Sequence, residues 1–189
     1  MRRVLLTVSA AGLLAVLTAC MSTTGTVSTT PASQVPAAPS PGTASTAVAK
    51  KAGVGDAIDL KGEKSGDLIE VTLVKIVDPD SANDGFSTPP AGDRYVSVQF
   101  RIVNKGTGAY QDDPMIDITV KDASGQSMKQ DYMSSTSAGA QMDSSVNLAP
   151  SDKALGFVTF DVPTGDKIGQ VQYALNAGMF GNSGEWQVG

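Results

Sequence analysis

Apolar and polar residues alternate along most of the chain after about Val54, with the period of two that belongs to half-buried strands. The clearest case is Arg94 to Asn104, where Val96, Val98, Phe100 and Ile102 share one face and Ser97, Gln99 and Arg101 the other. Ile69, Val71 and Leu73 mark one face of a strand over Leu68 to Val77. Ile116, Ile118 and Val120 alternate with Asp117, Thr119 and Lys121, and Asp122-Ala-Ser-Gly125 then reads as a turn. Gly156, Val158, Phe160 and Val162 line one face of Lys153 to Val162, which Pro163 ends. Val171, Tyr173 and Leu175 form a further set, and Glu185 to Val188 a short closing strand whose Trp186 is expected in the core. No segment carries a helical period of ten residues or more. Short strands separated by Gly, Pro, Asp and Ser turns predict an all-β fold: an immunoglobulin-like antiparallel β-sandwich over residues 54–189, with one core and no second domain.

The start of the chain carries a different pattern. Met1-Arg2-Arg3 is followed by an apolar run from Val4 to Leu17, long enough for a signal-peptide core and short of the roughly 20 residues that span a bilayer. The run closes on Leu17-Thr18-Ala19-Cys20, the pattern of a bacterial lipobox: a Leu, two small residues, then a cysteine that is acylated and becomes the mature N-terminus. Residues 1–19 are therefore expected to be a lipoprotein signal peptide, and Cys20, the only cysteine in the chain, the point of attachment to the bilayer. Two acyl chains give stable anchoring where one is marginal. The expected location is the extracytoplasmic face of the cell membrane. From Met21 to Ala49 there is no charged residue, and Ser, Thr, Pro and Ala dominate. Such a stretch has too few large apolar groups to offset its ordering entropy, so residues 20–53 are expected to be a disordered tether reaching roughly 30 Å as a coil.

Charge and composition remove several chemistries. The formal net charge is −5, and without Arg2 and Arg3 it is −7, with 12 basic against 19 acidic side chains. An acidic domain with scattered Lys and Arg has no electrostatic case for nucleic acid. There is no histidine, which removes Ser-His-Asp and Cys-His catalysis, histidine-ligated zinc and histidine pH switching. With its one thiol acylated, the mature chain has no thiol nucleophile, thiolate metal site or disulfide. No catalytic residue and no cofactor is indicated.

Two stretches, Ala91-Gly-Asp-Arg-Tyr-Val-Ser-Val-Gln-Phe-Arg-Ile-Val-Asn-Lys-Gly106 and Leu148-Ala-Pro-Ser-Asp-Lys-Ala-Leu-Gly-Phe-Val-Thr-Phe-Asp-Val-Pro163, carry a family resemblance. A Gly-x-x-aromatic entry leads a long strand that ends in Asn-x-Gly, and a Leu-x-Pro turn precedes a strand that ends Phe-x-Val-Pro. The chain resembles, over about residues 54 to 188, the telokin-like, immunoglobulin-like domain of bacterial lipoproteins and secreted proteins, the group related to the mycobacterial immunoprotective extracellular protein. In that pattern a glycine stands where this chain has Ser151, so the geometry of that turn is the point of departure. The resemblance implies a fold and an extracytoplasmic location, and transfers no catalytic residue.

Binding is then sought in the long polar stretches. Asp78-Pro-Asp80-Ser-Ala-Asn83-Asp84-Gly85 opens an acidic loop that runs to Asp93. Calcium takes several oxygen ligands from such loops, but no Glu closes this one in the EF-hand register. Phe86 is expected to plug onto the core, the alternative being an exposed anchor for a partner. Asp131 to Ser145 is the second polar stretch and holds Tyr132, Met133 and Met142. Met128 and Met133 offer a thioether pair for cuprous ion, although methionines more often fill gaps or dress an adaptable surface. Tyr110-Gln-Asp-Asp113 reads as a polar hairpin tip, and Asp112 and Asp113, adjacent on a strand, point to opposite faces and are poorly placed for paired-carboxylate hydrolysis. The expected function is a non-enzymatic module that presents Asp80, Asp84, Phe86, Tyr132 and Met133 to a protein or cell-envelope partner. A carrier of calcium, cuprous ion or another small ligand is the alternative.

Overall fold

A computed structural model describes residues 51–133, 135–179 and 182–189. The signal peptide, Cys20 and residues 21–50 of the expected tether lie outside the described residues; residues 51–53, also expected in the tether, are described, and Ala52 is held to the domain by its bridge to Trp186 and the Gln187 N–H. The strands are β1 (Ala57–Lys61), β2 (Leu68–Asp80), β3 (Asp93–Asn104), β4 (Tyr110–Asp112), β5 (Ile118–Asp122), β6 (Lys129–Asp131), β7 (Ser135–Thr136), β8 (Gly139–Ala140), β9 (Val146–Leu148), β10 (Lys153–Pro163), β11 (Ile168–Ala174) and β12 (Ser183–Gln187). One sheet runs β1-β2-β3-β10-β6 and the other β12-β11-β5; β4 pairs β9 and β7 pairs β8. All these named pairings are antiparallel. The fold is the immunoglobulin-like β-sandwich that the alternation predicts.

The core lies between the two sheets because each supplies one apolar face. Val96, Val98, Phe100 and Ile102 of β3 are fully buried, as are Val158 and Val162 of β10 and Val71 and Leu73 of β2. From the opposite sheet Val120, Val171, Tyr173 and Trp186 meet them. Phe100 stands edge-on to both Tyr173 and Trp186, with ring centroids 5.5 Å apart in each pair, the packing that the ring quadrupoles favour. The Trp186 indole N–H donates to the Asp56 carbonyl at 2.9 Å, and Ala52 forms a bridge to Trp186. The segment entering β1 is therefore tied to the last strand.

Two turn residues follow directly from the motif pattern. Asn104 is buried at the end of β3; its amide nitrogen donates to the Gly108 and Leu148 carbonyls, each at 2.8 Å, and its Oδ1 accepts from the Gly106 N–H at 2.9 Å. A Cβ at residue 106 would stand 2.7 Å from the Gly66 carbonyl oxygen, so glycine is needed there. Ser151 adopts φ 75°, the conformation the pattern's glycine would take, and its N–H donates to the Asn104 carbonyl at 2.7 Å. A serine held in this left-handed conformation carries modest backbone strain.

One element differs from its expectation. Pro114–Asp117 is a single helical turn, α1, and the strand begins only at Ile118. Asp113 caps it by accepting from the Met115 N–H at 3.0 Å, with Pro114 at the first helical positions, an arrangement that proline's fixed φ and missing N–H favour. The turn rotates the side chains out of the period of two. Ile116, expected on the buried face, is 55% exposed, while Asp117 is 2% exposed.

Candidate functional site

The two polar stretches meet on the outer face of the larger sheet. Tyr95, Ser97, Thr159 and Asp161 alternate with the core residues of β3 and β10, so they point away from the sandwich interior. Register sets Asp80, Tyr95, Asp161 and Lys129 opposite one another across four strands, with Ser97, Thr159 and Asp131 in the next row. The Ser97 and Thr159 hydroxyls are hydrogen-bonded at 2.8 Å, and Lys129 Nζ lies 3.2 Å from Asp161 Oδ2. This stripe would be solvated on a bare sheet, yet Tyr95, Ser97, Thr159 and Asp161 are all buried.

Part of the cover comes from the two stretches themselves. Ala82 forms a bridge to Thr136, the Ser137 N–H donates to the Ser81 carbonyl at 2.8 Å, and the Ser137 hydroxyl donates to Asp80 Oδ1 at 2.6 Å. Asp80 is thus a structural acceptor at the seam. Burial raises its pKa, and hydrogen bonds from Ser137, Ser97, Thr136 and the Ser81 amide outweigh that and hold it below the usual carboxylate range. Asp84 is exposed and caps its own turn: the Ser87 hydroxyl, then the Ser87 and Phe86 amides, hold its carboxylate below the usual range. Tyr95 is pushed up, first by burial and then by the charges of Asp131, Asp161 and Asp84.

The structure corrects several placements. Phe86 does not plug the core; it is 82% exposed, because Asp84 turns the chain outward at Phe86 and Ser87. Tyr132 is also exposed, at 71%. Met133, expected with them on the partner face, is buried, as are Met128 and Met142, so these methionines are packing residues and the Met128–Met133 pair presents no open thioether site. Tyr132, Gln141, Met142, Asp143, Ser144 and Met115 line a shallow depression on this side. Asp78 belongs to β2, and its carboxylate takes a two-point ion pair from Arg94 at 2.6 and 2.9 Å. Among the described residues no three His, Cys, Asp or Glu side chains are arranged to hold a metal ion, and the calcium and cuprous readings gain no support.

A second cluster was not visible in the sequence. Tyr110-Gln-Asp112 is not a hairpin tip but a strand paired with β9. Its Tyr110 hydroxyl donates to Asp112 Oδ2, and Asp117 of α1 lies within hydrogen-bonding reach of Asp112. Burial first, then the hydrogen bond to Asp112, pushes the Asp117 carboxyl up to about 8. Burial also raises Tyr110 and Tyr173 well above the ordinary phenol value. The partner of Asp112 is therefore Asp117 and not Asp113, whose carboxylate is committed to the cap. The available signal was Asp113-Pro114, which starts a helical turn and brings residue 117 back over residue 112.

The strand order, the aromatic core and the outer loops define an immunoglobulin-like β-sandwich domain. The family described as "Domain of unknown function (DUF4352)" matches residues 62–184, and the chain belongs to it. Among solved structures it is similar to the secreted protein MPT63 of Mycobacterium tuberculosis, with 15% identity and a TM-score of 0.51, covering 76% of this chain and 100% of that one. The YjhA protein of Bacillus subtilis gives 12% identity and a TM-score of 0.50, covering 73% of this chain and 99% of that one. A candidate lipoprotein of Bacillus subtilis, YcdA, gives 16% identity and a TM-score of 0.47 over 67% of this chain, which spans only 38% of YcdA. The likenesses to MPT63 and YjhA establish the fold alone. No curated protein matches the chain.

Proposed function

We propose that the chain is a lipid-anchored, extracytoplasmic, non-catalytic module that binds a protein partner of the cell envelope through the paired loops 81–92 and 132–145. The observation that carries this reading is the seam between those loops: they are stitched to each other over a buried polar stripe, and each holds an aromatic ring in solvent, Phe86 and Tyr132. Large exposed aromatic groups on polar loops are the side chains that interfaces bury at their centres. Anchoring is supported by the Leu17-Thr18-Ala19-Cys20 motif behind an apolar run.

Phe86→Ala combined with Tyr132→Ala is expected to change the melting temperature little, since exposed substitutions stay within about 0.5 kcal/mol each. The same variant is expected to lose at least ten-fold in partner crosslinking on intact cells. Equal crosslinking by the double variant and the parent would remove the loops from the interface. Anchoring has its own check: Cys20→Ala should move the protein from the membrane fraction to the soluble one, and unchanged retention would refute acylation at that residue.

A further inference from the structure

The face that carries the two paired loops is acidic. Neither 81–92 nor 132–145 contains a Lys or Arg, and each holds an exposed carboxylate, Asp84 and Asp143. Beside and beneath the seam lie Asp80, Asp131 and Asp161, and the cation next to them, Lys129, is already paired with Asp161. Besides burial, the charges of Asp131, Asp161 and Asp84 all act on the Tyr95 hydroxyl, so these carboxylates share one field. Among the described residues no Lys or Arg forms an ion pair with Asp84 or Asp143. A second copy of the chain docking by the same face would set like charges against each other, so the face favours a cationic partner.

One part of that face has the shape and the groups to receive a cation. Tyr132 and Asp143 border the shallow depression whose lining also includes Gln141, Met142, Ser144 and Met115. Its backbone is held in place. The Met142 N–H donates to the Phe157 carbonyl at 2.8 Å, and Gln141 forms a bridge to Phe157. The loop lies so close to β10 that a Cβ at Gly156 would stand 2.4 Å from the Met142 Cα. The Gln141 side-chain amide donates to Met115 Sδ at 3.9 Å. Met115 and Met142 are buried, whereas Tyr132 and Asp143 are exposed. A ring, a carboxylate and two thioethers on a held backbone are groups that one arginine can use together. Its guanidinium stacks on rings and pairs with carboxylates through a planar fork, and its methylene stem lies on apolar atoms.

We propose that this depression is the seat of an arginine side chain of the protein partner, with the guanidinium against Tyr132 and paired with Asp143. The seat rests on the loop interface proposed above and gives that interface its partner chemistry. Lysine fits less well, because its ammonium is more strongly hydrated and has no planar face to stack.

The test titrates the 15N-labelled full chain in non-ionic detergent with N-acetyl-arginine methylamide, and with the citrulline compound as its uncharged isostere. The Tyr132, Asp143 and Ser144 amides and the Gln141 side-chain amide should shift together and saturate with the arginine compound. The citrulline compound should bind about ten-fold less tightly, with the lysine compound between the two. Asp143→Asn, an exposed substitution, should lose about five-fold for arginine and nothing for citrulline, and its partner crosslinking on intact cells should fall by about the same factor. Equal binding of arginine and citrulline, no saturable shift at these residues, or unchanged arginine binding or crosslinking by Asp143→Asn overturns the seat. If the Phe86 and Tyr132 double variant loses crosslinking while any of these results is found, the seat falls and the loop interface stands. Unchanged crosslinking by the double variant removes the interface, and with it the assignment of the seat to a partner.

Discussion

Asp117→Asn is expected to stabilise the domain by about 2–4 kcal/mol between pH 7 and 8 and to flatten its pH dependence. The Asp117 carboxyl titrates near 3.8 in an ordinary setting and is pushed up to about 8 in the fold by burial and by Asp112. Below the lower value it is protonated folded and unfolded, and its contribution is fully present. Between the two values the folded chain holds one proton more than the unfolded chain, so stability falls as pH rises, at about 1.4 kcal/mol per unit. By pH 7 the accumulated loss is about 4 kcal/mol, a large share of the 5–15 kcal/mol typical of a domain. Asparagine carries no charge in either state and removes this slope. Its amide N–H₂ can donate to Asp112 and its oxygen can accept from Ala177, at the expense of about 1 kcal/mol for a weaker hydrogen bond. Urea melts of the parent and the variant at pH 5, 7 and 8.5 check this: the curves should nearly coincide at pH 5 and separate as pH rises. A constant difference across that range would mean that the Asp117 carboxyl is not raised in the fold.

That acid pair also marks where sequence reasoning stops. Long-range structure is legible wherever one face of a strand is continuous with the core. The alternation of Val96 to Ile102 and of Gly156 to Val162 identifies two central strands, whose sandwich-facing side chains are buried. The Asn104 and Gly106 pair is legible for a different reason: a buried amide that satisfies three backbone groups around a turn leaves little choice of residue. Asp117 fails the same test, because one helical turn between two strands breaks the period of two and converts Ile116 from core to surface. The contact of Asp117 with Ala177 then spans 60 residues, and no local pattern encodes such a meeting. Phe86 fails for a related reason. A lone aromatic among Asp, Asn, Gly and Ser reads as an anchor seeking apolar company, and its outward direction is set by the Asp84 turn, a local hydrogen-bond choice that hydropathy does not register. The two loops were each visible as polar and long, but their seam depends on strands β2 and β6 being separated by only two others in the sheet.

Trp186→Ala is expected to cost about 3–5 kcal/mol and to lower the melting temperature by roughly 15 °C. Trp186 is fully buried and stands edge-on to Phe100, and its indole N–H satisfies the Asp56 carbonyl. Truncation opens a cavity between the sheets and leaves that carbonyl with one partner fewer, two separate penalties at one position. It also loosens the entry of the chain into the domain, because the Ala52 bridge is made to Trp186 and the Gln187 N–H donates to the Ala52 carbonyl at 2.8 Å. Hydrogen exchange should then show the largest loss of protection at residues 52–58 and 184–188, while β3 and β10, paired over eleven residue positions, keep theirs. Trp186→Phe separates the two contributions: it restores most of the volume and not the hydrogen bond, so its loss should be about half that of the alanine variant. If Trp186→Ala melts within 3 °C of the parent, the aromatic trio is not what joins the two sheets, and the thermal stability of the fold rests on the five-stranded sheet alone.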